Sequence, residues 1–215
     1  MIAVQLNKKD FEYDIHSLIR AFYPGMDVPV YQEGEAEPEG WEKKLVVDYQ
    51  SDQISLELVG KKNEILGKAQ RDVDYEADRK ATKNVLKSML YEMLRDHTGQ
   101  SLPWGNLTGI RPTKIPMALL EQDWTNTEIA DYMRKTYYTS NEKTALSIMI
   151  ANRERHILKD INYEDGYSLY VGIPFCPSIC LYCSFSSSPL AVWRDKVDMY
   201  LDALCKEIEA CARIY

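Results

Sequence analysis

Basic residues are in short supply in this chain. Lysine and arginine number 26 against 33 acidic residues, giving a net charge of −7 and a pI near 5.1. A broad electrostatic grip on nucleic acid or anionic lipid is therefore not expected, although small basic pockets are compatible with that balance. Long apolar runs are also missing: no window approaches the roughly 18 residues that a membrane span needs. The opening MIAVQLNKKDFEYD lacks the basic then apolar order of a secretory signal, so a cytoplasmic chain is expected. Internal repeats and low-complexity tracts are absent. Only three histidines occur, His16, His97 and His156, and none stands at ligand-pair spacing to another.

What remains is the profile of a globular protein: 45% hydrophobic and 27% charged residues, enough for one sizeable core or two small domains. IAVQL reads as a short strand and Lys9 to Phe22 as a helix stopped by Pro24 and Gly25. Residues 32–40, acidic and rich in glycine and proline, read as a solvated loop. KKLVVDYQ and QISLELVG alternate around Ser51-Asp52 as a hairpin does, and Asn63 to Ala69 offers a third strand. Helical periodicity runs from Asp74 to His97, where Val85, Met89 and Met93 lie beside Leu86, Leu90 and Leu94, with Gly99 as the stop. Further helices fit Asn126 to Lys135 and Asn141 to Leu158, capped by Thr125 and Ser140.

A polar, turn-forming stretch separates two expected domains. Residues 1–158 read as an α+β domain, a small antiparallel sheet plus helices; 159–167 read as a linker; 168–215 begin a second domain. There SLYVGIPF reads as a buried strand, being too short for a helix and too continuous for an edge. A helix follows from Lys196, with Val197, Leu201, Leu204, Ile208 and Cys211 on its inner face.

Between strand and helix lie three of the five cysteines, Cys176, Cys180 and Cys183, within eight residues. An odd total argues against a closed disulfide framework, and a reducing compartment keeps thiols free. Pro174 and Pro177 stiffen the approach to the loop. Structural zinc asks for a fourth donor that the histidines do not supply locally. A redox pair of Cys180 and Cys183 leaves Cys176 unexplained, and inert buried thiols have no reason to cluster. Iron–sulfur ligation fits best, because three thiolates on a four-iron cluster leave one iron open. Cys205 and Cys211, six residues apart on a helix, share no face and read as core or half-buried positions.

The spacing of three and then two residues, with Tyr182 before the last cysteine, resembles the cluster motif of radical S-adenosylmethionine enzymes. YVGIPFC further resembles the corresponding segment of the oxygen-independent coproporphyrinogen III oxidase family. LPWGNLTGIRPTKIP, residues 102–116, is similar to the N-terminal region of the HemZ-type coproporphyrinogen dehydrogenases. The resemblance implies Cys176, Cys180 and Cys183 as ligands of a [4Fe–4S] cluster, and Tyr170 and Tyr182 as contacts to S-adenosyl-L-methionine. It implies that 168–215 form the first βα unit of a truncated (β/α)6-type partial barrel, and that this chain is a fragment of a longer enzyme, inactive alone. The reaction implied is oxidative decarboxylation of coproporphyrinogen III to protoporphyrinogen IX in anaerobic haem biosynthesis. A porphyrinogen substrate and an electron-donor protein are the implied partners. A haem-binding or haem-transfer protein without decarboxylase activity, and an N-terminal interaction module, are the alternative readings. The turn formers around Arg111 leave two roles open: a rigid loop offering Arg111 or Lys114 to an anion, or a tight interhelix connection with Arg111 bonded to carbonyls or a carboxylate.

Overall fold

The computed structural model describes residues 1–75, 78–109, 111–162 and 165–215. The chain divides into two compact units, Met1–Asn162 and Tyr163–Tyr215.

Alternating apolar residues build the first unit's sheet. Strands β3 (Lys43–Tyr49) and β4 (Gln53–Gly60) pair antiparallel, and β4 pairs likewise with β5 (Ile65–Asp72). Leu45, Val47 and Tyr49 of β3 and Ile54, Leu56 and Leu58 of β4 are all buried. Helix α1 (Glu12–Phe22) adds Ile15, Leu18, Ile19 and Phe22 to the same core, and α2 (Arg79–Thr98) adds Leu86, Met89, Leu90 and Met93. Burying each such aliphatic side chain contributes about 1.5–3 kcal/mol. The architecture is α+β.

The sheet is mixed, not antiparallel throughout as alternation alone implied. β1 (Ile2–Leu6) lies parallel to both β3 and the three-residue β2 (Val30–Gln32), giving the order β2-β1-β3-β4-β5. These parallel pairs are non-local, Val4 facing Leu45, and a short apolar strand such as β1 does not disclose its partner. Helix α1 starts at Glu12 because Phe11 adopts a left-handed conformation, φ 55°. The helical start read at Asp74 runs across 76 and 77, which lie outside the described residues; α2 begins after Asp78, whose side chain accepts from the Lys80 and Ala81 amides.

A second core within this unit joins three helices, α3 (Lys114–Leu120), α4 (Asn126–Tyr137) and α5 (Asn141–Leu158), around Leu120, Ile129, Met133, Ile148 and Ala151. Thr125 caps α4 through a reciprocal capping box with Glu128, and the Ser140 hydroxyl accepts from the Lys143 amide. Residues 102–109 sew the two cores together. The Ser140 amide donates to the Pro103 carbonyl at 2.9 Å, and the Asn106 amide donates to the Tyr137 carbonyl at 3.0 Å. Lys87 of α2 donates to Thr108 at 3.0 Å and pairs with Asp14 of α1 at 3.6 Å.

The second unit is sparse. It contains a two-residue parallel pair, β6 (Phe175–Cys176) with β7 (Ser188–Pro189), then a short α6 (Leu190–Trp193), a 3₁₀ turn, and α7 (Val197–Ile214). Residues 168–174 do not form the buried strand that their continuous apolar run suggested. Ile173 is 64% exposed and Tyr170 86%. Such a run signals a strand only where ladders flank it, and among the described residues of this unit the one ladder is the two-residue β6–β7 pair. The expected linker, 159–167, includes 163 and 164, which lie outside the described residues. Among the described residues no helix is long and apolar enough to cross a membrane.

Two predictions concern the first unit. At Gly105 φ is 57° and an added Cβ falls 1.8 Å from the Tyr137 carbonyl oxygen, whereas at Gly99 (φ 67°) it meets nothing within 4 Å. In urea titrations Gly105→Ala should cost about 3 kcal/mol or more, and Gly99→Ala about 1 kcal/mol. Equal losses would show that the loop yields without cost.

The other prediction rests on Asp10, whose carboxylate accepts from the Tyr75 hydroxyl and from Arg79 Nη1 at 2.6 Å. The Tyr75 bond and then the Arg79 bond hold this carboxyl below its ordinary value of 3.8. A depressed carboxyl stabilises the fold in its ionised form, so the contribution is complete above the unfolded value and lost as pH falls through the folded one. Asp10→Asn should lower stability by about 1 kcal/mol at pH 7. That deficit should shrink steadily below about pH 4; a deficit unchanged at low pH contradicts the assignment.

Candidate functional site

The cysteine loop is closed at its base by backbone. Phe175 stands opposite Ser188 and Cys176 opposite Pro189 in the β6–β7 pair, and the Ser188 amide donates to the Pro174 carbonyl at 2.7 Å. Cys176 thus sits at one foot of the loop. Pro177, just beyond it, has no amide hydrogen to donate, so pairing on the Cys176 side stops there. Further round, the Cys183 amide donates to the Cys180 carbonyl at 3.0 Å. That is a tight turn, and it brings the α-carbons of the second and third cysteines within about 7 Å.

Cys176 and Cys183 line one hollow of about 450 Å³, which Tyr170, Phe185 and Tyr200 also line. Cys180 does not line it and is exposed, while Cys176 and Cys183 are half-buried. Tyr182, 90% exposed, lies outside the hollow as well. The structure therefore brings together Tyr170, Cys176 and Cys183, and leaves Cys180 and Tyr182 at the surface. Among the described residues no group of three or more His, Cys, Asp or Glu side chains is arranged to hold a metal ion. The donor chemistry still fits a thiolate-held group. All three thiols are free, and the turn carries Cys180 next to Cys183.

The half-covered residues of α7 are Val197, Tyr200, Leu204, Ile208 and Cys211, whereas Leu201, expected on the inner face, is exposed. Leu201 is one step of about 100° past Tyr200, which turns it off that stripe. Cys205 is likewise exposed and not a core or half-buried position, and only Cys211 falls on the covered stripe. Tyr200 is the site residue that the sequence reading missed. Its signal was spacing: it stands three residues after Val197 and four before Leu204, the rhythm of one helix face.

Arg111 pairs with Glu154 of α5 at 3.4 Å, so the carboxylate role is the one seen. Lys114 opens α3 and is exposed. Ile110, within the same turn-rich stretch, lies outside the described residues.

Comparison with known proteins yields two relatives. Over 131 residues, 60% of this chain, the sequence is 33% identical to the oxygen-independent coproporphyrinogen-III oxidase-like protein HemZ of Bacillus subtilis (strain 168), of which 26% is covered. Over 52 residues, 24% of this chain, it is 40% identical to an oxygen-independent coproporphyrinogen III oxidase of Mannheimia haemolytica, of which 35% is covered. The chain thus matches about a quarter to a third of the length of these curated relatives. No family model and no solved structure matches. Over those stretches the chain is similar in sequence to a protein named oxygen-independent coproporphyrinogen III oxidase and to one named oxidase-like.

Proposed function

We propose that this chain carries the cofactor-binding loop of an enzyme that decarboxylates coproporphyrinogen III to protoporphyrinogen IX by radical S-adenosylmethionine chemistry. The observation that carries the reading is the convergence of Cys176, Cys183 and Tyr170 on one hollow, with the free thiol of Cys180 one turn away, in a chain that over 131 residues is 33% identical to a coproporphyrinogen-III oxidase-like protein.

Cys176, Cys180 and Cys183 would hold a [4Fe–4S] cluster through their thiolates, leaving one iron without a protein ligand. When bound there with S-adenosyl-L-methionine, that group supplies the one-electron chemistry that removes hydrogen from a substrate side chain. The chain's own part is to bind and to orient. The loop's closed base fixes Cys176, and the 180–183 turn sets Cys180 and Cys183 as a pair. Tyr170 offers a ring and a hydroxyl to a cofactor in the hollow, and Tyr182, at the loop's tip, has a ring free to cover an adenosyl group. Phe185 adds an apolar side chain to the lining of the hollow. In the net reaction each of two propionates becomes a vinyl group, losing carbon dioxide and the equivalent of a hydride. That is two electrons per propionate and four in all, which one S-adenosyl-L-methionine per propionate would take up in becoming methionine and 5′-deoxyadenosine; an electron-donor protein would be the partner that reduces the cluster at the outset. A reducing cytoplasm suits such thiols.

The test uses the full-length protein, reconstituted anaerobically with iron and sulfide and given coproporphyrinogen III, S-adenosyl-L-methionine and dithionite. Mass spectrometry should find a product that has lost two carboxyl groups, and Cys180→Ala should abolish it. If the loaded wild-type protein binds the porphyrinogen and leaves it unchanged, the oxidase reading fails and haem handling takes its place.

A further inference from the structure

We infer that Tyr200 is the positioning residue for Cys176: from α7 it grips the backbone that delivers this thiol to the hollow. The inference rests on the reading above in one respect, that Cys176 is a ligand.

Three contacts converge on this side chain. Its hydroxyl donates to the Gly172 carbonyl at 2.6 Å. Its ring meets Phe175 edge-on, with centroids 5.2 Å apart and planes at 85°. It also lines the hollow that Cys176 and Cys183 share. One residue thus holds the chain at 172 and again at 175, immediately before Cys176. The grip has consequences because so little else is available nearby. The β6–β7 ladder is two residues long, and Ile173 and Tyr170 are largely exposed. A thiolate donor must be held to within a fraction of an ångström to serve with two others, and partners behind a ligand are where such precision originates. An ordinary core tyrosine buries its ring and finds any acceptor for its hydroxyl. Tyr200 instead divides its two ends between two points of the segment leading to one ligand. At Gly172 a Cβ would come 3.2 Å from the Tyr170 ring, so the gripped residue also lies close against the other tyrosine of the hollow.

The test compares Tyr200→Phe, which removes only the hydroxyl, with Cys176→Ser and the double variant, all in the full chain. Alkylation by iodoacetamide, resolved by peptide mass spectrometry on metal-free protein, reads each thiol separately. Losing one net hydrogen bond should speed labelling of Cys176 by about fivefold, while the exposed Cys205 on α7 keeps its rate. Cobalt(II) then serves as a probe of the ligand set, its thiolate charge-transfer absorbance reporting how many thiolates bind. Wild type should show three. Tyr200→Phe should bind cobalt about tenfold more weakly, and adding it to Cys176→Ser should cost nothing further. Unchanged Cys176 labelling overturns the inference, and so do cobalt losses that add in the double variant. Fewer than three thiolates in the wild type overturns the ligand reading, and the labelling rates then decide the role of Tyr200 by themselves.

Discussion

The hydrogen bond from the Ser188 amide to the Pro174 carbonyl, 2.7 Å long, closes the cysteine loop, and the placement of the candidate ligands depends on it. A loop carrying several donors has many conformations, and tying its ends is what removes most of them. The closure here is minimal, a parallel pair of two residues. It puts Cys176 at the foot of the loop, where backbone pairing holds it, and leaves Cys180 and Cys183 to be set by their own turn. Tyr200 supplies from the helix the restraint that a longer ladder would give. The half-assembled donor set follows from this economy: two thiols share the hollow, and the third waits on the turn.

The first unit is governed by a different constraint, the close approach of residues 102–109 to the end of α4. Gly105 is there because no side chain fits against the Tyr137 carbonyl, and Asn106 turns the same carbonyl into an acceptor. Around that contact Tyr138 stacks on Tyr91 with centroids 4.9 Å apart and donates to Glu92, so the helical core is bound to α2. The density of turn formers in LPWGNLTGIRPTKIP is thus explained by packing. Its arginine serves the same end by pairing with Glu154.

Local signals in the sequence were legible wherever local physics decides. Thr125 and Ser140 cap the helices they precede, Gly99 ends α2 in a left-handed conformation, and the alternation around Ser51-Asp52 gives the β3–β4 hairpin. Non-local pairing was not legible. β2 is three residues long and its partner is β1, so no periodicity announces it. The apolar run YVGIPF looked like a strand because its composition is that of one, but a ladder needs a neighbour as well as a composition. α3 was hidden by Pro116, which is compatible with the first turn of a helix and so marks no break there. At the site the cysteines themselves were legible from spacing; spacing also puts Tyr200 on the covered face of α7, but not behind Cys176. Its role lies in a hydrogen bond to Gly172, 28 positions earlier in the chain.

The central claim is that Cys176, Cys180 and Cys183 form one iron–sulfur ligand set. Its most direct test is the iron and acid-labile sulfide content of the chain purified and reconstituted without oxygen, beside the same chain carrying Cys180→Ala. The account predicts about four irons and about four sulfides per chain in the first, and loss of nearly all of both in the second. Stoichiometric zinc in place of iron, or iron content indifferent to Cys180, would contradict it.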